Sequence, residues 1–365
     1  MASGSRLAAQ AERDLVRRCH GGLDVAGVRR LALASLRRLM PVDAAFFATA
    51  DPETLLFTGG HAEEPLATSQ QRFLDNEFGG ADVNRFAALA TAPTHVARLD
   101  SATRGQRQAS PRYRDIMAPL GLGDELRAAL VVGSRCWGYL CLHRADDPRG
   151  FSEAEAALVA RLSPHLAHAL RQAVLLGGTS GDHPRGAMAV GPGVVLLEQD
   201  SSVAAVTESA HLLLSLVEDG RGTRFGLPMA VYAVAAALGS IERGEPGSGL
   251  VPSTRVRTSD GGWLNLHASR LHSATGPDRT AVVVEPAPAG DTVPLVLSAY
   301  GLTARESEVA RLVLRGASTR AIVDTLHISA HTVQDHLKAV FDKAGVRSRR
   351  ELVSQLLGPP GGGAR

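Results

Sequence analysis

Gln334, Asp335 and Lys338 are the residues of this chain whose types and spacing speak most directly of chemistry. Between positions 329 and 344, Val333, Leu337, Val340, Phe341 and Ala344 recur near every 3.6 residues, so one face of a helix is apolar and fixed. The opposite face presents His331, Gln334, Asp335, Lys338 and Asp342, with Thr332, His336 and Lys343 on its flanks. Amide, carboxylate and ammonium groups on one rigid helix face suit base edges in a major groove. A Gln amide can bond adenine twice, a carboxylate can accept from a cytosine amine, and Lys can donate to guanine. A solvated helix face is the plainer reading, and two features of the chain weigh against it.

The chain holds two lysines among its 39 basic residues, and both, Lys338 and Lys343, lie on this helix. Charge is also uneven. Positions 302–365 carry ten Lys+Arg against six Asp+Glu, a net +4, in a chain whose formal charge is +2. The other 301 residues are therefore net −2, and the basic excess sits where a polyanion would bind.

The elements that must hold this helix announce themselves by their ends. Thr303-Ala304-Arg305-Glu306 is a capping box before the stripe Val309, Leu312, Val313, and Gly316 supplies the left-handed stop. Ser318 opens a second helix with Ile322 and Leu326 inward, His327-Ile328 makes a turn, and Ser329 caps the third helix. A second box, Ser348-Arg349-Arg350-Glu351, opens a fourth helix whose apolar face is Leu352, Val353, Leu356 and Leu357, and Gly358-Pro359-Pro360 ends it.

These phrases (LTxRE, the SxxTV start of the third helix, HL, K-x-GV and SRxEL) resemble the LuxR-type helix-turn-helix domain, also found in NarL/FixJ regulators, over nearly all of positions 302–357. The resemblance implies an all-α four-helix DNA-binding domain whose third helix is the recognition helix. Carried over residue by residue, it implies base readout by Gln334, Asp335 and Lys338. It implies phosphate contact by Ser329, Thr332, His336, Lys343, Arg347 and Arg349. Asp335 departs from the small or basic residue common there; a carboxylate beside phosphates costs affinity, so it is expected to read a base.

The rest of the chain has length for further domains. An apolar content of 44% supports folded cores, no run of eighteen apolar residues exists, and the polar opening MASGSRLAAQAERD does not read as a signal peptide. A cytoplasmic protein without a membrane span is expected. Cys19, Cys136 and Cys141 make no disulfide framework and read as buried thiols. Two polar breaks, Gly177–Gly186 and Pro286–Thr292, divide the chain into blocks 1–176, 187–286 and 298–358.

The first block reads as a helix from Asp24 to Met40, strands Ala44–Ala50 and Leu55–Thr58, a loop-rich centre, strands Glu125–Val132 and Trp137–Arg144, and a long helix from the Ser152–Glu155 box to about Leu175. With the phrase GYLCLHR…FSEAEAALVARLSPHLAHAL, this order resembles a GAF-type sensor domain. Leu158, Leu162, Leu166 and Leu170 on its exit helix could pack on a second copy of the chain or cover the domain's own sheet. The second block reads as strands Gly193–Asp200 and Ser202–Val206, helices Glu208–Leu216 and Pro228–Glu242, then strands Ser253–Thr258, Trp263–Arg270 and Thr280–Glu285. With RVRTSDGGWLNLHASRL, this resembles a PAS domain. The expected fold class is thus multidomain α+β: two α/β sensor-type modules and a C-terminal all-α domain.

The common catalytic patterns are missing from the sequence. No GxxxxGK[ST], GxSxG, HExxH or CxxC occurs, and a phosphoacceptor receiver domain would need a lysine outside the last block. His165 and His168, three apart on a helix, could share a metal, but the sequence brings no third ligand beside them. No motif specifies a cofactor. The expectation is a non-enzymatic transcription regulator, acting on promoter DNA as a homodimer, with RNA polymerase and a small-molecule ligand as candidate partners. An interaction scaffold with secondary DNA binding is the alternative.

Overall fold

Apolar residues alternate along short β-branched and aromatic runs in the first two blocks, and recur with helical spacing elsewhere, which dictates sheets backed by helices. The computed structural model describes residues 2–145, 150–176, 191–217, 227–244 and 251–357. They fall into two units, Met1–Pro286 and Ala287–Arg365.

The first unit begins with α1 (Ala2–Cys19) and α2 (Val25–Leu39), then β1 (Ala44–Ala50), β2 (Phe57–Ala62), α3 (Gln70–Gly79), α4 (Phe86–Thr91), β3 (Val96–Arg98) and α5 (Leu99–Ala102). It continues with β4 (Leu122–Val132), β5 (Arg135–Ala145) and α6 (Glu153–Leu176). The sheet order is β2-β1-β5-β4-β3. Helix α2 starts where Asp24 accepts from the Gly27 N–H at 2.7 Å, and α6 starts at a capping box in which Ser152 and Glu155 bond each other's N–H. Strand β2 begins two residues later than the sequence pattern proposed, because Leu55 sits in a turn at φ 60°. The polar opening, which carried no helical expectation, is the helix α1. Its Leu15 and Cys19 are buried.

The same unit then forms β6 (Gly193–Leu197), β7 (Val203–Val206), α7 (Glu208–Ser215), α8 (Met229–Glu242), β8 (Ser253–Arg257), β9 (Trp263–Leu271) and β10 (Arg279–Pro286). Its sheet order is β7-β6-β10-β9-β8, the order of the first sheet repeated. One hydrophobic core runs through both sheets, from Phe46, Phe57 and Phe86 to Val231, Leu266 and Val282, with α8 between them. At Gly60 of β2 any larger residue would run into the Met229 sulfur, so glycine there lets α8 lie against the strand.

In α6, Leu162, Leu166 and Leu170 are each 1% exposed within the single chain. Of the two readings of that leucine stripe, the structure supports the one in which it covers its own unit, since a face already buried is not free to meet a second copy.

The second unit is helical: α9 (Ala289–Ala299), α10 (Ala304–Leu314), α11 (Thr319–Leu326), α12 (Ala330–Ala344) and α13 (Arg349–Leu357). The second polar break is thus only partly a linker. Helix α9 starts inside it, with Pro294 in its body, because Val293 and Leu297 join the core formed by Val309, Val313, Ile322, Val333, Leu337, Val340 and Leu352. The first break and the Gly-Pro-Pro stop lie outside the described residues. No described helix is long and apolar enough to cross a membrane.

Candidate nucleic-acid interface

Helices α11 and α12 meet through a three-residue turn built by capping chemistry. Ser318 accepts from the Ala321 N–H at 3.2 Å to start α11. His327 ends it in the left-handed region, φ 52° and ψ 46°, where its N–H reaches the Val323 carbonyl. Ser329 then caps α12, accepting from the Thr332 N–H at 3.1 Å, with the two hydroxyls 2.9 Å apart. Both capping serines and the turn stand where the sequence put them.

Burial fixes the orientation of α12. Val333, Leu337, Val340 and Ala344 are buried, while His331, Gln334, Asp335, Lys338 and Asp342 are exposed and share the outer face. The three expected base readers therefore stand together, one turn or less apart. Asp335 has an imidazole neighbour: His331 Nε2 lies 3.6 Å from its carboxylate, one turn back on the helix. His336 and Thr332 are half-buried at the flanks.

The six expected phosphate contacts divide. Arg347 is exposed, and its backbone N–H is held by the Glu351 carboxylate at 2.8 Å. Arg349 is turned inward, donating to the Ala317 carbonyl and the Thr319 hydroxyl, both at 2.9 Å, so it ties the start of α13 to the turn before α11. Lys343 places Nζ 2.6 Å from Glu306 Oε2. Glu306 also completes the capping box of α10, accepting from the Thr303 N–H at 2.7 Å. Burial alone would raise its pKa, but the Lys343 ammonium and the Thr303 donors hold it below the ordinary carboxylate value. The second expected box is altered: Ser348 accepts from the Glu351 N–H, yet the Glu351 carboxylate reaches the Arg347 N–H instead of Ser348.

Sequence reasoning missed two fastenings of this bundle. Arg305 donates to the Leu326 carbonyl at 2.6 Å, satisfying an orphan carbonyl at the end of α11, and pairs with Glu308. Gln355 of α13 donates to the Tyr300 hydroxyl and to the Ala344 carbonyl. The Arg of the LTxRE phrase was the available signal for the first; nothing in the local pattern pointed to the second.

The first unit hides a polar network. Arg112 and Arg127, both essentially buried, converge on Glu125, and Arg127 also meets Glu77 at 2.6 Å. The Arg127 guanidinium carbon sits 4.3 Å from the centre of the Phe86 ring. Burial would raise the Glu125 pKa, and the two guanidiniums hold it well below the carboxylate range instead. Glu125, Cys141 and His143 are the one group among the described residues with three metal-ligating atoms close together. The fit to a metal is poor, because both Glu125 oxygens already accept from Arg112 and the Cys141 thiol already lies 3.1 Å from Glu125 and from His143. Burial pushes Cys19 up to about 11 and Cys136 up to about 12, so both are thiols at neutral pH, as befits packing rather than redox chemistry.

Comparison with known proteins bears on both units. The family described as bacterial regulatory proteins, luxR family, matches residues 301–356, and the GAF domain family matches residues 26–170. The chain is 46% identical over 54 residues to the monoamine regulon transcriptional regulator of Klebsiella aerogenes, covering 15% of this chain and 24% of that protein. It is 29% identical over 131 residues to the probable HTH-type transcriptional regulator GfsR of Streptomyces halstedii, covering 35% of this chain and 50% of that protein. The matches thus span half or less of these two relatives. With the spore germination protein GerE of Bacillus subtilis (strain 168) the identity is 39% over 56 residues, covering 15% of this chain and 76% of that protein. The chain belongs to the luxR family of bacterial regulatory proteins.

Proposed function

We propose that this protein is a transcription regulator that binds double-stranded promoter DNA through α12, with Gln334, Asp335 and Lys338 reading base edges. The observation that carries the reading is the outer face of α12. Its polar side chains are exposed and grouped on a helix whose other face is buried and whose start is capped. Ser329, Thr332, His336 and Arg347 border that face and are the phosphate contacts proposed first. Lys343 and Arg349 reach the backbone only by leaving the partners they hold within the bundle.

Blocks 1–176 and 187–286 act as GAF-like and PAS-like modules, and block 298–358 as the DNA-binding head. The repeated strand order of the two sheets supports the PAS-like assignment of the second block. A ligand or partner of the modules shifts the population of DNA-competent arrangements. The working form in the cytoplasm is a homodimer on inverted half-sites about one turn, roughly 10 base pairs, apart, in contact with RNA polymerase. Fluorescence anisotropy of the full-length protein on promoter fragments tests the reading. It expects tight binding to a discrete fragment, with log affinity falling linearly against log salt concentration. Binding that ignores sequence and salt would refute it.

A further inference from the structure

His20 supplies the imidazole that the sequence could not place beside His165 and His168. It follows the last residue of α1, while the other two lie on successive turns of α6. His20 Nε2 is 3.3 Å from His165 Nδ1, and the His20 and His168 rings are 4.4 Å apart between centres. His168 Nδ1 is 3.1 Å from Arg171 Nη2.

Each of these two hydrogen bonds sets a proton count. A guanidinium can only donate, so His168 Nδ1 must be an unprotonated acceptor. Between His20 and His165 one ring nitrogen donates and the other accepts, so at most one of that pair can be an imidazolium. The surroundings offer a second positive charge no relief. Arg171 donates to His168 from 3.1 Å, and its buried Nε has no acceptor among the described residues. Burial, then Arg171, His20 and His165, all push the His168 pKa below its ordinary 6.5. Acids on or beside the packed elements are engaged elsewhere: Glu12 of α1 with Arg161 of α6, Asp14 with Arg17, Asp24 with the Gly27 N–H, Glu63 with Arg37 of α2, Glu155 of α6 with Arg144 of β5, and Asp124 and Glu125 of β4 with the Phe151 N–H and Arg112. Arg18, the remaining cation beside this end of α1, acts on Cys19.

We propose that His20, His165 and His168 form a proton-sensitive latch that holds α1 on α6 when neutral and releases it on acidification. The sign follows from the groups. The docked state favours a neutral His168 and lets the His20–His165 contact hold at most one proton, and undocking lifts both restrictions. Docking is therefore complete above the ordinary imidazole value of about 6.5 and weakens as pH falls through it. The latch would tie the first unit's long exit helix to the proton concentration of its surroundings.

Cys19 reports the state of the latch, because it is 1% exposed and adjoins His20. The full-length protein is labelled with 4,4′-dithiodipyridine, a disulfide probe that stays reactive in acid, and each cysteine is quantified by peptide mass spectrometry. Between pH 7.5 and 5.5 the labelling rate of Cys19, divided by that of free cysteine at the same pH to cancel the change in thiolate fraction, should rise about tenfold, while Cys136 and Cys141, buried in the sheet, stay protected. His168→Gln keeps a neutral acceptor for Arg171, and with His20→Gln it should flatten the rise to less than about twofold. Simultaneous exposure of all three cysteines would mean general acid unfolding and overturn the proposal. So would a Cys19 rate that does not change with pH, or one that rises equally in the glutamine variants.

Discussion

Lys343, one of the two lysines in the chain, is bonded inward: its Nζ lies 2.6 Å from Glu306 Oε2, joining α12 to the cap of α10. The same carboxylate closes the Thr303 capping box, so one buried acid fastens two helix ends. Glu306→Gln should therefore destabilise the second unit by about 1–2 kcal/mol at neutral pH, the range of a lost cap. The folded pKa of Glu306 is depressed, so its contribution is present above the ordinary carboxylate value and is lost as pH falls through the folded one. Denaturation of the wild type and the variant at several pH values should show a gap that closes in acid; a gap independent of pH would contradict the assignment.

The Asp335 side chain stands 65% exposed on the outer face of α12 with His331 as its neighbour. Asp335→Ala should raise affinity for unrelated duplexes by removing a repulsion from phosphates. Discrimination should fall by about 1–3 kcal/mol at one base pair. Competition binding against single-base variants of the preferred site measures both. Unchanged discrimination would show that the carboxylate faces only solvent.

Arg347 and Arg349 should behave differently although two residues apart. Arg347→Ala is expected to weaken all sequences alike and to lower the salt slope by roughly one unit, as for one phosphate contact. Arg349→Ala should leave the slope nearer wild type and instead lower the melting temperature, since it removes the bonds to Ala317 and Thr319. Salt titrations and thermal melts on the two variants check this, and equal slopes would undo the distinction.

Asp51 and Arg255, 204 positions apart, form a buried bidentate pair at 2.8 Å that joins the two sheets of the first unit. Asp51→Ala leaves a guanidinium buried without that partner and should cost about 3–5 kcal/mol. Chemical denaturation of the full-length protein measures it; a loss under about 1 kcal/mol would mean that Glu53, also 2.8 Å from Arg255, carries the pair.

Much of this was legible beforehand where local physics decides. Ser318, Ser329, Gly316 and the apolar period of α12 each mark a position by a short-range requirement, and the second block's five strands appear within a few residues of their expected places. The misses share a long-range cause. Nothing near Lys343 shows that Glu306 waits 37 residues earlier, and nothing near His165 shows that His20 closes on it from 145 residues away. Helix α9 was hidden because Pro288 and Gly290 read as linker chemistry, while the packing of Val293 and Leu297 is tertiary. The leucine stripe of α6 was legible as apolar, but what would cover it was not.

The most direct test of the account asks whether α12 reads sequence. The full-length protein is used to select duplexes from a random pool, and the selected site is titrated against a scrambled one with wild-type protein and with Lys338→Ala. An enriched motif should bind at least about 1,000-fold more tightly than the scramble. Lys338→Ala should lose about 1–3 kcal/mol, with relaxed preference at a single base pair. No enriched motif, or one that the Lys338→Ala protein binds with unchanged affinity and base preference, would contradict it.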